Sequence, residues 1–151
     1  MHSLAAIATD LAAHALPWEL ATGTTPVDRC YRQLVSTDEY DAWLIHWPAG
    51  AGLDAHDHGG SWGAFSIVDG SLDEDVEVDG ALLTRTVSTG RTVSFDPSHV
   101  HAVVNRSSRG ATSVHVYSPP LHSMQFFADD GTGARVVDRI EHAGSSWAPV
   151  G

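Results

Sequence analysis

The sequence predicts an all-β fold, a barrel or double-sheet roll, preceded by one short helix. Three observations carry that expectation. Short segments rich in β-branched and aromatic residues recur at regular spacing from Tyr40 onward. Turn-forming pairs, Asp69-Gly70, Asp79-Gly80 and Thr89-Gly90, punctuate them. The N-terminal stretch has helical spacing instead, and a proline closes it.

The elements follow in order. Ser3 to Leu16 ("SLAAIATDLAAHAL") is rich in Ala and Leu, begins on a capping serine and stops before Pro17, so it reads as a helix packed on the outside of the domain. Tyr40 to Trp47 alternates and reads as a strand. Phe65 to Val68, Val76 to Val78, Leu82 to Val87, Thr92 to Phe95, Ala102 to Val104 and Thr112 to Tyr117 read likewise. Phe126-Phe127, the turn "DDGTG" and Arg135 to Ile140 make a final hairpin, and Glu141 to Gly151 an irregular tail. With no repeat or linker, the 151 residues are read as one domain.

Composition narrows the function. A formal net charge of -11 argues against nucleic acid or an anionic membrane as partner. The lone cysteine, Cys30, excludes an intrachain disulfide and suits a reducing compartment. No run of about 18 apolar residues is present, and no signal-peptide pattern opens the chain. The expectation is a cytoplasmic protein, a monomer or weak homo-oligomer. Ten histidines against eight Lys plus Arg is an unusual ratio. His2, His14 and His142 sit in polar or terminal surroundings and are read as solvated. His56, His58, His99, His101 and His115 are the informative ones.

In a strand, residues i and i+2 share a face, so His56 and His58 converge while Asp57 faces away. Two such imidazoles make half a metal site. The remaining ligands must come from elsewhere in the chain. Zinc accepts three histidines plus water. Non-haem Fe(II) more often takes two histidines and a carboxylate.

The surrounding spacing resembles the cupins. Gly50 lies six residues before His56, Gly63 five after His58, and Gly70 seven after Gly63, as in G-x5-H-x-H-x3,4-E-x6-G, with Gly63 in the glutamate slot. "GRTVSFDPSHVHAVVN" resembles the second cupin signature, G-x5-P-x-G-x2-H-x3-N. Gly90 to His101 and His101 to Asn105 keep its spacing, while Pro97 is shifted by one and His99 replaces the inner glycine. Ser113, His115 and Tyr117 alternate on one strand face, and three inward polar side chains are costly unless each bonds something. Together, "HDHGGSWG", "HAVVN" and "SVHVYSPP" resemble the cysteine dioxygenases, thiol dioxygenases of the cupin superfamily, over roughly residues 28–128. That implies a jelly-roll double-stranded β-helix with a helical segment over 1–20, the barrel and metal site over 28–128, and a hairpin and tail over 129–151.

Carried over residue by residue, the resemblance implies Fe(II) held by His56, His58 and His101, with Ser113, His115 and Tyr117 as a relay beside it. "RQLV", Arg32 to Val35, is similar to the family's R-N-L-V, whose arginine holds the substrate carboxylate, and guanidinium suits that task as a two-pronged cation. Gln33 is adjacent, and related enzymes acting on 3-mercaptopropionate carry glutamine near this place. Trp62 is expected to wall the pocket. Animal members have a cysteine, crosslinked to the tyrosine, where this chain has Gly63, as bacterial relatives do. The Ser118-Pro119 bond is expected to be cis. Cys30 reads as a small buried hydrophobe. The implied reaction is oxidation of L-cysteine to its sulfinate by O2. The rivals are a dioxygenase of another small thiol (3-mercaptopropionate, cysteamine or a specialised-metabolite thiol) and a non-catalytic cupin that binds a metal or small ligand.

Overall fold

The computed structural model describes residues 3–129 and 134–141. Two helices, α1 (Leu4–Ala13) and α2 (Trp18–Thr22), precede the strands. These are β1 (Cys30–Ser36), β2 (Asp41–Trp47), β3 (Gly52–His56), β4 (Trp62–Asp69), β5 (Ser71–Val78), β6 (Ala81–Ser88), β7 (Thr92–Phe95), β8 (His101–Val104), β9 (Ala111–Ser118), β10 (Ser123–Asp129) and β11 (Ala134–Glu141). They form a sheet of order β1-β2-β9-β4-β7 and a second of order β11-β10-β3-β8-β5-β6, with every pairing antiparallel among the described residues.

The first sheet is buried on both faces. Alternation along β2, β4 and β9 sends Trp43, Ile45, Trp47, Phe65, Ile67 and Tyr117 into the space between the sheets. The opposite face presents Ala42, Leu44, Ala64, Val114 and Val116. Helix α1 covers that face with Leu4, Ile7, Ala8 and Leu11, apolar positions three and four apart. Ser3 caps it as expected, its hydroxyl accepting from the Ala6 amide at 3.1 Å. The helix ends at Ala13 rather than Leu16, and Trp18 then opens α2 by donating its amide to Thr112 Oγ1 at 2.9 Å.

The Asp79-Gly80 turn joins β5 to β6 with both residues at positive φ, 51° and 79°, as a two-residue hairpin of this composition requires. The hairpin expected at the C-terminus forms as β10–β11. Its tip and the tail after Glu141 lie outside the described residues, as do His2 and His142. Among the described residues no helix is long and apolar enough to cross a membrane.

Candidate metal centre

Two strands and a turn bring three histidines together. His56 closes β3, and its register partner across the ladder is His101, which opens β8. His58 lies past the end of β3, in a turn and not in a strand. Gly59 and Gly60 make that turn at φ 59° and 90°. A Cβ on Gly59 would come within 2.6 Å of the Ser123 carbonyl oxygen, so β10 closes over a position only glycine fits. Asp57 faces away, its Oδ1 accepting from the Gly59 and Gln125 amides at 3.2 and 2.9 Å. The expected convergence of His56 and His58 holds, through a turn that folds His58 back.

The three rings are buried, at 1–2% exposure, with centroids 4.8–5.0 Å apart. One nitrogen of each lies within 4.8 Å of the others, and His58 Nε2 stands 3.2 Å from His101 Nε2. Two ligands of one ion at about 2.1 Å would show such a separation. Burial first, and the neighbouring imidazoles next, hold His56 and His58 well below the usual histidine range; burial also lowers His101. Neutral rings keep their lone pairs, which is the form a metal takes. The donor set therefore fits a divalent cation bound by His56, His58 and His101.

The rings differ in what stands behind them. His56 Nδ1–H donates to the Asp54 carbonyl at 2.7 Å. His101 Nδ1–H donates to Glu74 Oε2 at 2.7 Å. Among the described residues His58 Nδ1 has no partner. Glu74, on β5, is 1% exposed and also accepts from His99 Nε2 at 3.0 Å and from Arg85 Nε and Nη2, both at 2.7 Å. Burial alone would raise its pKa, but these donors hold it far below the carboxylate range. The sequence gives no signal for it, since it stands between two other acids, Asp73 and Asp75. Glu74 lies behind His101 and is not one of the three converging groups.

The relay residues line the same interior. Ser113, His115 and Tyr117 are all inward and at most 6% exposed. Trp47 Nε1–H donates to Ser113 Oγ at 2.8 Å, which frees the hydroxyl proton for His115 Nδ1 at 3.2 Å. Burial keeps His115 neutral, so its own proton sits on Nε2. The ring stacks on Phe65 at 5.0 Å and 9°, which fixes its plane. The Tyr117 ring lies 5.7 Å from His58, and burial first, Asp41 second, raise its phenol pKa. Tyr117 thus stays a protonated hydrogen-bond donor. Gly63 is its cross-strand partner, and a Cβ there would collide with the Phe95 ring, so the thioether crosslink has neither sulfur nor room.

Two expected residues are not brought to the site. Arg32 is exposed on β1, because Tyr31 faces the core and alternation turns its neighbour outward. Trp62 is 56% exposed and lines an open groove of about 790 Å3 beside α1, outside the barrel. The cation that does reach the interior is Arg29, just before β1. Its guanidinium lies 4.6 Å over the Trp47 ring, its Nε is buried without a partner among the described residues, and burial lowers its pKa to about 10. Arg29 lines a cavity of about 20 Å3 with Tyr31, Trp43 and Tyr117. The R-Q-L-V string points to Arg32, but strand register, which such a string does not show, turns Arg29 inward instead. Gln33 is half-buried on the face of Tyr31, Cys30 packs against the α1-side cluster, and the Ser118-Pro119 bond is cis. Asn105 serves the far end of the barrel, donating to the Trp47 and Arg109 carbonyls at 2.9 and 2.7 Å.

Two antiparallel sheets rolled face to face over a buried cluster of imidazoles define a cupin double-stranded β-helix with a histidine-rich metal site. Solved structures share the fold. A protein of Thermus thermophilus matches at 18% identity and TM-score 0.56, over 64% of this chain and 88% of its own. A Klebsiella pneumoniae protein with a double-stranded β-helix domain matches at 14% and 0.55, over 64% and 76%. An oxalate oxidase in complex with glycolate matches at 17% and 0.57, over 68% and 57%. The chain belongs to the cysteine dioxygenase type I family, whose pattern it matches over residues 4–130. Membership places it among the cupin-type metal-dependent dioxygenases.

Proposed function

We propose that this protein is a non-haem iron thiol dioxygenase that oxidises L-cysteine to cysteine sulfinate with O2. The observation that carries the reading is the convergence of His56, His58 and His101 on one point, with Tyr117 beside His58 and Arg29 sharing a cavity with Tyr117. Ferrous iron, when bound, supplies the positive charge that favours a thiolate and the redox chemistry that activates dioxygen. The lack of a carboxylate ligand leaves room in the charge balance for an anionic sulfur donor.

The protein's own residues divide the remaining work. Arg29, rather than Arg32, holds the substrate carboxylate, since its fixed charge is buried and its Nε lacks a partner among the described residues. Tyr117 donates a hydrogen bond into the site. His115 and Ser113 hold the geometry of that corner, anchored by Trp47. The packed rings of Phe65, Phe95 and Phe126 exclude bulk water. A second reading, oxidation of 3-mercaptopropionate, is favoured only by the half-buried Gln33 beside Tyr31.

Oxygen uptake and product mass with the iron-loaded protein test both readings across cysteine, 3-mercaptopropionate and cysteamine. Cysteine is expected to be preferred, with sulfinate as product. Arg29→Ala should raise KM for carboxylate-bearing thiols roughly 100-fold, and Arg32→Ala should change little. His56→Ala should lose the iron. No uptake with any of the three thiols, or full iron retention in His56→Ala, overturns the proposal.

A further inference from the structure

A site of three neutral imidazoles carries one more unit of positive charge than a site of two imidazoles and a carboxylate. We infer that Glu74 acts behind that site as a positioning residue that fixes His101 as a metal ligand through its Nδ1–H, its own charge paired with Arg85. This rests on the proposed metal centre and deepens it. The geometry is specific. The 2.7 Å bond from His101 Nδ1 to Glu74 Oε2 leaves His101 Nε2 as the lone pair, and Nε2 is the atom that meets His58 Nε2 at 3.2 Å. A carboxylate behind a ligating imidazole sets its tautomer, its ring plane and its basicity.

Glu74 is itself held from three directions. Arg85 reaches it across the β5–β6 pair, where the two are register partners, with Nε and Nη2 both at 2.7 Å of Oε1. Oε2 is shared by His99 and His101. An ion pair that served only to join β5 to β6 would need Arg85 and Glu74 alone. Here the carboxylate divides its oxygens, one toward the cation and one toward the imidazoles. The other two rings lack such a partner, since His56 leans on a carbonyl and His58 Nδ1 on nothing among the described residues. His101 is therefore the ligand to which the fold gives the most electron density.

The test uses Co(II) as a spectroscopic probe in the full-length protein. Wild type should bind one Co(II) and show hyperfine-shifted, exchangeable imidazole N–H proton resonances, one of them assigned to His101 Nδ1–H. Glu74→Gln keeps the shape and an acceptor oxygen but removes the charge. It should weaken Co(II) binding roughly 10- to 100-fold in chelator competition and move the His101 N–H resonance and the visible bands. Arg85→Met, which leaves Glu74 in place, should weaken binding only a few-fold. If Glu74→Gln folds and binds Co(II) with wild-type affinity and spectrum, the inference is overturned while the metal centre stands. If wild type itself takes up no Co(II) or Fe(II), the metal centre falls and takes this inference with it. Should Glu74→Gln not fold, the wild-type resonance decides, and the absence of a slowly exchanging His101 Nδ1–H in the Co(II) form counts against the inference.

Discussion

On one side of β9, Val114 and Val116 meet α1; on the other, Ser113, His115 and Tyr117 face the interior that holds His56, His58 and His101. Burial does not separate the two faces, since all five side chains are between 0 and 6% exposed. What separates them is how each is satisfied. The outer face needs only shape, because an aliphatic side chain gains from any close neighbour. The inner face needs named partners, and it has them in the run from Trp47 Nε1 to Ser113 to His115. The outer face therefore holds the fold and the inner face holds a function at the fold's expense.

The largest test of that contrast is acid. In the metal-free protein, His56, His58 and His115 sit well below their ordinary value of 6.5, with burial the chief cause. Groups lowered on folding contribute stability that is present above the unfolded pKa and lost as pH falls. Three such groups make the folded state lose stability steadily as pH falls below about 6.5. Urea midpoints between pH 7 and 5 measure it, and a flat profile would break the contrast.

Asp41, the cross-strand partner of Tyr117, gives a smaller effect of the opposite sign. Burial raises its pKa from 3.8 to about 6. The folded state then keeps a proton that the unfolded state has released, so this group's contribution falls as pH rises from about 4 to about 6 and stays low above. Two pKa units correspond to about 3 kcal/mol. Asp41→Asn keeps an acceptor for the Leu121 amide, which now donates to Oδ2 at 3.2 Å. It should raise stability at pH 7 by up to that amount and steepen the histidine-driven rise below it. An unchanged midpoint at pH 7 would show that Asp41 is not strained by burial.

The outer face was the legible one. Ser3, the apolar spacing of α1 and the alternation of β2 and β9 each follow from local rules, and the structure bears them out. The inner face was legible where residues stand close in sequence, as in His56 and His58 or Ser113, His115 and Tyr117. It was not legible where a site residue depends on register or on a distant strand. Arg29 and Arg32 differ only in which face β1 turns inward. Glu74 is acidic among acidic neighbours, and only the pairing of β5 with β8 brings it behind His101. β1 was missed because Arg32 interrupts its alternation, β3 was expected to run through His58 but ends at His56, and α2 was missed because five residues carry too little periodicity.

The smallest tests set one substitution on each face of β9 side by side. Tyr117→Phe removes only a hydroxyl on the inner face. On the proposed function it should slow thiol oxidation about 100-fold with iron content unchanged, and shift stability by no more than about 1 kcal/mol. Val114→Ala removes two methyl groups beneath α1, where the side chain is fully buried in the cluster of its register partner Leu44 and the helix. It should cost about 2 kcal/mol, seen as a lower urea midpoint at unchanged m, and leave kcat and KM of the folded protein as they were. The two variants then move one property each. A Val114→Ala protein that loses activity in step with Tyr117→Phe would mean that packing under α1 sets the geometry of the inner face, and the two sides of the strand would have to be treated as one coupled unit.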